Sequence, residues 1–452
     1  MAIQSRLLSK LKSTYINMNM VTSSHPQRMH PVLRNLMEVR ELCQQGLTKE
    51  NYTKYEEIYD SLILGIKQIL SGEVGKDAGE IVGLCKELLE HIMLETSKEE
   101  HFKKEMVFLP YKASMWDSLE SVWRAAYEDK DNCLAYVVPI PYCDRDPDGT
   151  AKEWHCERDL FPKDVPTLDW QDVDLKYMHP DAIFIHNPYD NCNRVTSVDS
   201  RFYSNKLKKY TDKLVYVPYF VLGEPEFDYD DPEKEEEIRE AEDKIGNFIL
   251  EPGVMNADLT IVQSEAMKKV YVNMLNRYTN APEGYWEEHI LGLGSPKFDK
   301  VAESRKEDFQ LPEEWKRLIR GRRTVLYNTG LTAMLKHTDK FLEKIRSVLE
   351  TFKAQEDVVL WWRPHPLLRP TFESMHPELL EEYDEIVSAY RREDWGIYDD
   401  TAELERAVAW TDGYYGDTSS VVQLYEKTGK MIMIQHIDDP EEDEGTEKTV
   451  EC

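Results

Sequence analysis

The sequence predicts an α/β protein with two doubly wound parallel sheets behind an all-helical N-terminal region. Three observations lead there. The 452 residues exceed what a single core usually supports. Residues 32 to 100 carry helical apolar periodicity with few breakers. From about residue 105, short apolar, β-branched and aromatic runs alternate with helix-like stretches in two successive series, the pattern of parallel sheets covered on both faces.

The first 37 residues hold no acidic side chain but include Arg6, Lys10, Lys12, Arg28 and Arg34. Ile3, Leu7 and Leu11 recur every four residues. This fits a basic amphipathic helix lying on an anionic membrane surface, or an ordinary packing helix. "NYTKYEEIYDSLILGIKQIL" and "AGEIVGLCKELLEHIMLE" continue the helical region to residue 100. The first strand series is "EMVFLP", "NCLAYVVPIP", "DAIFIHNP", "KLVYVPYFV" and "LTIVQS". The second is "RTVLYNTG", "DVVLWWRPHP", "WGIYDD", "GYYGD" and "KMIMIQ", with helical stretches between. The expected divisions are a helical region at 1–100, a first sheet domain at 101–300, a second at 301–436 and an acidic tail at 437–452. The stretch 224–243 carries twelve carboxylates against two basic residues and reads as a solvated helix or loop. It lacks the spaced ligands of a calcium loop.

Composition narrows the function. Hydrophobic residues make up 41% and aromatics 11%, which suits a globular chain rather than a disordered one. The formal net charge of -30 repels nucleic acid and any long anionic polymer outside a local basic cleft. Seven cysteines at 43, 85, 133, 143, 156, 192 and 452 contain no CxxC pair. That points to a reducing cytoplasm. No apolar run is long enough to span a bilayer and no secretion signal is recognisable. Cys143, His155, Cys156, His186 and Cys192 match no tight zinc spacing, so no metal is expected.

Candidate chemistry gathers on strand-to-helix joints. In parallel sheets ligands sit beyond the carboxyl ends of the strands, among loops and outward-pointing N–H groups. "VVLWWRPHPLL" delivers Arg363 and His365 between Pro364 and Pro366 at such an end. "YYGDTSSVVQLYEKTGK" places Asp417, Thr418, Ser419 and Ser420 at the start of a helix, with N–H groups suited to a phosphate. "LYNTG" offers Asn328, Thr329 and Gly330. "GLGSPKFD" offers Gly294, Ser295 and Lys297, and "IYDDT" offers Asp399 and Asp400. Each joint taken singly is equally well explained by turn chemistry and capping. Arg363 can alternatively pair with a neighbouring carboxylate. In the first series, His186 in "AIFIHNPYDN" stands at a strand end. It reads either as a base or as a histidine that hydrogen-bonds a neighbouring loop.

The segments "LWWRPHPLL", "WGIYDDTAELERAVAWTDGYYGDTSSVVQLYEKTGKMIMI", "ADLTIVQSEAMKKVYV", "LGLGSPKFDKV" and "TVLYNTG" together resemble the C-terminal half of the CDP-glycerol glycerophosphotransferases, the teichoic-acid glycerol-phosphate polymerase family. The likeness is close over residues 258–436 and looser over 105–257. It implies the two-Rossmann glycosyltransferase B architecture. It also implies transfer of glycerol phosphate, or a related polyol phosphate, from a CDP-linked donor to a hydroxyl of a cell-envelope or glycan acceptor. CMP is released and no cofactor is required. By position, Arg363 and His365 match the family's Arg-x-His-Pro motif, and Asp417, Ser419 and Ser420 its Asp-x-Ser-Ser motif, both directed at the donor pyrophosphate. His365 and His186 are the catalytic candidates the resemblance implies. Two departures stand out: Thr418 replaces an aromatic residue, and His186 is followed by Asn187 where the family has His-Gly. The location expected from the cysteine usage is cytoplasmic, and the basic N-terminus is a candidate for peripheral contact with the inner face of the plasma membrane. A nucleotide-sugar glycosyltransferase and a degenerate binding or scaffold protein are the alternatives on the same fold.

Overall fold

The computed structural model describes residues 2–20, 28–72, 78–146, 148–193, 195–223, 234–401 and 403–435. The acidic tail and the first ten residues of the 224–243 stretch lie outside them. The chain forms two compact units that divide between Ser295 and Pro296. The helical region belongs to the first of them.

Four helices open the chain: α1 (Ala2–Asn19), α2 (Met29–Gly46), α3 (Lys49–Ser71) and α4 (Ala78–Lys98). Their buried positions alternate three and four residues apart. In α2 these are Met29, Val32, Leu36, Val39 and Cys43; in α3 they are Tyr52, Tyr55, Tyr59, Leu62, Ile66 and Ile69. Such spacing gives each helix one apolar seam, and packing α1 on α2 and α4, and α3 on α2 and α4, closes a four-helix bundle. Thr48 caps α3 by accepting the Asn51 N–H at 3.3 Å, and Gly72, at φ 74°, ends it in the left-handed region. Ile3, Leu7 and Leu11 are at most 1% exposed in this core. Arg6 pairs with Glu105, and Lys10 with Glu38. The membrane-facing expectation for α1 is therefore corrected, because the apolar face it needs is already buried against α2 and α4. Among the described residues no helix is long and apolar enough to cross a membrane.

The bundle is tied to the first sheet. The Arg6 guanidinium meets the Glu105 carboxylate at 2.6 Å with both side chains largely buried. The Lys103 N–H donates to the Gly46 carbonyl at 2.8 Å. Burial pushes the Glu105 pKa up although Arg6 opposes it.

The first unit holds a six-stranded parallel sheet of β1 (Lys104–Leu109), β2 (Cys133–Val137), β5 (Ala182–Ile185), β7 (Lys213–Tyr216), β8 (Leu259–Ile261) and β9 (Ile290–Leu291), in the order β2-β1-β5-β7-β8-β9. A small antiparallel sheet of β3 (Tyr142–Arg145), β4 (Ala151–His155) and β6 (Thr196–Val198) is inserted in it, in the order β4-β3-β6. The reading of the sequence did not contain this insert. Its strands are short and polar, without the apolar runs that marked the parallel strands.

The second unit holds a five-stranded parallel sheet of β10 (Arg323–Thr329), β11 (Val358–Pro364), β12 (Ile397–Tyr398), β13 (Gly413–Gly416) and β14 (Met431–Ile434), in the order β12-β11-β10-β13-β14. Side chains alternate across a strand. Trp361 and Leu326 enter the core on one face, and Trp362 and Tyr327 the core on the other. This explains why the strand reads as an unbroken apolar run. The first residues after Tyr219 also belong to this unit, and Val221 packs in its core.

Leu7→Ala is expected to destabilise the chain by about 2–5 kcal/mol, the cost of a cavity in a packed core. Urea unfolding followed by far-UV circular dichroism measures it. A change within about 0.5 kcal/mol would show that the seam is loosely packed.

Candidate functional site

In the second unit, β11, β10 and β13 are adjacent, so the loops at their carboxyl ends leave side by side. Asp417 follows β13 and is 3% exposed. One of its carboxylate oxygens takes the Lys344 ammonium, and the other accepts the Gly330 N–H at 2.7 Å. The Asp417 N–H donates to the Asn328 carbonyl at 3.0 Å. This close approach requires a glycine before it. Gly416 has φ 146°, and a β-carbon there would stand 2.2 Å from the Asn328 carbonyl oxygen. Asn328 in turn donates its side-chain N–H to Ser419 Oγ at 3.0 Å, and Ser419 Oγ caps the following helix by accepting the Val421 N–H at 3.2 Å. Thr418 and Ser420 are exposed beyond this scaffold. The N–H groups of Thr418, Ser419 and Ser420 meet no acceptor among the described residues.

Asp417 was expected at the donor phosphate. The structure spends both of its oxygens inside the unit, where it positions the turn. A carboxylate beside a phosphate is also electrostatically unfavourable. Thr329 and Gly330 likewise serve the interior: Thr329 Oγ1 accepts the Trp362 indole N–H at 3.2 Å and its carbonyl accepts the His365 N–H at 2.9 Å. Lys344 escaped the sequence reading. Its signal is a lysine on the apolar face formed by Phe341, Ile345 and Val348, a place that a charge occupies only when paired.

Asp399 is a second buried hub, with no exposed surface. It accepts the Trp361 indole N–H at 2.9 Å and the Thr401 hydroxyl at 2.6 Å. Arg363 lies at 3.1 Å and Arg406 at 3.3 Å from its two oxygens. The other guanidinium arm of Arg363 donates to the Thr401 carbonyl at 2.6 Å. Arg363 is thus paired with a carboxylate, the alternative its position left open, and a phosphate would have to share it with Asp399. Asp399 itself has no surface to offer a ligand. Asp400 is exposed and paired with Arg391.

His365 is partly buried. Its Nδ1 accepts the Leu367 N–H at 3.1 Å, which places the ring proton on Nε2. Desolvation lowers its pKa from the ordinary 6.5, so at neutral pH it is an uncharged hydrogen-bond donor. In that state His365 offers a hydrogen bond and no charge.

His186, in the first unit, is fully buried. Its Nε2 accepts the Tyr111 N–H at 3.0 Å, and its Nδ1 lies 2.9 Å from Ser118 Oγ. The Ser118 hydroxyl donates to the Met115 carbonyl at 2.7 Å, so Nδ1 carries the ring proton. Tyr111 and Tyr219 cover the ring edge-on. Both nitrogens are committed and no face reaches solvent, so His186 is a structural histidine and not the base. Gly294, at φ 109°, donates its N–H to the Val262 carbonyl at 3.2 Å. Gly294 and the buried Ser295 end the first unit, whereas Lys297 belongs to the second. Among the described residues no group of three or more His, Cys, Asp or Glu side chains is arranged to hold a metal.

No protein-family model matches the chain. A search of curated proteins finds no match. Among solved structures the chain is similar to Staphylococcus aureus MnaA with UDP, at 11% identity and TM-score 0.43, over 73% of this chain and 78% of that one. It is similar to the Methanocaldococcus jannaschii UDP-GlcNAc 2-epimerase, at 9% identity and TM-score 0.42, over 74% and 83%. It is also similar to the wall teichoic acid polymerase TagF, at 14% identity and TM-score 0.38, over 83% and 78%. The fold class is read from the chain's own sheets: α/β, with two Rossmann-like units of the kind found in glycosyltransferase B proteins and a helical N-terminal region.

Lys344→Met is expected to cost about 3–5 kcal/mol by leaving Asp417 charged and unpaired, while adding Asp417→Asn recovers part of the loss. Equilibrium urea unfolding of the two variants tests this, and strictly additive losses would refute the coupling. The lowered pKa of His365 means that the unfolded chain binds its proton more readily. Its contribution to stability is then full above pH 6.5 and is lost as pH falls from there towards the folded-state value. Proton NMR of the ring should give a midpoint below 6.5, and a midpoint at or above it would contradict the burial argument.

Proposed function

We propose that the chain is a transferase that moves glycerol phosphate, or a related polyol phosphate, from a CDP-linked donor to a hydroxyl of a glycan or cell-envelope acceptor, releasing CMP. The observation that carries this reading is the convergence of the Arg363–His365 loop and the Asp417–Ser420 turn on the two strands that flank β10. Three backbone N–H groups at the turn make a small anion-binding concavity. Ser420 and Thr418 supply hydroxyl donors, and His365 supplies a neutral N–H. Arg363 adds the charge when it turns part of its guanidinium from Asp399 to the diphosphate.

In-line displacement at the glycerol-bearing phosphorus puts charge on the non-bridging and leaving oxygens. Donors held in place by the buried Asp417 and Asp399 hubs oppose that charge without reorganising. The net charge of -30 favours a short or uncharged acceptor over a growing polyanion. The location this reading assigns is the cytoplasm. The sealing of His186 favours a second reading, a binding protein that keeps the donor site without transferring its cargo.

Calorimetry with CDP-glycerol, CDP, UDP and UDP-sugars tests the reading. Cytidine-selective binding is expected, weakened at least tenfold by Arg363→Ala. Ser420→Glu places a carboxylate at the exposed start of the helix, where it suits the helix dipole but repels a diphosphate. It should abolish binding while leaving the melting temperature unchanged or slightly raised. Binding that survives Ser420→Glu would remove the turn from the site. Absence of nucleotide binding in the wild type would overturn the reading.

A further inference from the structure

Two arginines share one buried carboxylate in the second unit, and they are held to it in different ways. Asp399 accepts four hydrogen bonds without Arg363: the Trp361 indole N–H at 2.9 Å, the Thr401 N–H at 3.1 Å, the Thr401 hydroxyl at 2.6 Å and an Arg406 N–H at 3.3 Å. A carboxylate has about four acceptor sites, so these donors alone satisfy it. Arg363 Nη1 stands 3.1 Å from Asp399 Oδ2 and is buried, yet it makes no hydrogen bond among the described residues. Its tie to Asp399 is one of charge.

Arg406 is fixed by three partners besides Asp399. It is 6% exposed. Its Nη2 also donates to Thr401 Oγ1 at 2.7 Å, its Nη1 pairs with Glu403, and its Cζ lies 4.9 Å from the centre of the Trp315 ring. Arg363 is held more loosely. Among the described residues its side chain makes one hydrogen bond, from Nη2 to the carbonyl of Thr401 at 2.6 Å. Thr401 is exposed, so water can replace that donor. Turning Arg363 towards a ligand therefore breaks one hydrogen bond at the surface and, because Nη1 makes none, no buried one. What Asp399 loses is a neighbouring charge, and a buried carboxylate left without a cation is costly. Arg406 supplies that cation in advance.

We infer that Arg406 is a positioning residue for the donor site: it keeps Asp399 paired and so releases Arg363 to an anionic ligand. This rests on the donor reading above. Arg406 is buried and takes part in no bond change. The event is an exchange of partners, in which the outer arm of Arg363 passes from the Thr401 carbonyl to a diphosphate oxygen. Asp399 meanwhile keeps Arg406, Thr401 and Trp361. Without Arg406, the carboxylate and the diphosphate would compete for a single cation.

The test is calorimetric binding of CDP to the full chain. Arg406→Met should raise the Kd about tenfold or more, and Arg406→Lys, which keeps the charge, by less than about threefold. Adding Asp399→Asn to Arg406→Met should recover most of the lost affinity, because no carboxylate then competes for Arg363. Thermal melting followed by circular dichroism establishes that each variant is folded, and Arg406→Gln replaces Arg406→Met if the latter is not. An arginine that serves packing alone predicts a further loss in the double variant, and that result overturns the assignment. Independently of any nucleotide, nitrogen NMR of arginine-labelled protein follows rotation of the Arg363 guanidinium, assigned by its absence from Arg363→Ala. Rotation should slow in ligand-free Arg406→Met, where Asp399 has Arg363 as its one cation, and unchanged rotation overturns the assignment as well. If Arg406→Met binds CDP as the wild type does, the assignment falls and the donor reading stands. If the wild type binds no CDP, the donor reading falls instead, and the guanidinium rotation decides Arg406 alone.

Discussion

The second unit is organised by a carboxylate that has lost its water. Asp417 is held by Lys344 from a helix, by the Gly330 N–H from the turn after β10, and through its own N–H by the Asn328 carbonyl. A buried ion pair contributes little net stability, because desolvation offsets the attraction, but it penalises every arrangement that separates the partners. The pair therefore acts on geometry. It sets where the chain leaves β13, and the exposed hydroxyls of Thr418 and Ser420 follow. Asp399 does the same one strand further along, gathering Arg363, Arg406 and Trp361.

The two units treat their conspicuous polar residues in opposite ways. In the second, charge is buried so that neutral donors can stand at the surface. In the first, an imidazole is buried to fix the loop after β1. The histidine accepts the Tyr111 N–H at Nε2 and meets the Ser118 hydroxyl at Nδ1.

The parallel strands were legible because each is buried on both faces and reads as an apolar run. The bundle was legible because helical spacing repeats over about seventy residues. The small antiparallel sheet was not, since β4 is exposed along most of its length and carries no apolar pattern to find. At the candidate site the sequence located the right loops but not the division of labour within them. Which of Asp417, Thr418 and Ser420 faces outward depends on Lys344, 73 residues away in sequence. Whether Arg363 is engaged depends on Asp399, brought in by the pairing of β11 with β12. Long-range burial decides both, and periodicity does not register it.

The link between α1 and β1 bears on how the chain assembles. The contacts within the bundle are local and close among the first hundred residues, the class of contact that forms fastest. During synthesis the bundle can therefore be complete while the rest of the chain is still emerging. The guanidinium of Arg6 then waits on its surface for Glu105. When the next segment arrives, charge attraction places the first strand before any neighbouring strand exists to pair with it. The bundle is in that sense a template for the first strand of the sheet, and a scaffold laid down early explains why it shares a unit with β1.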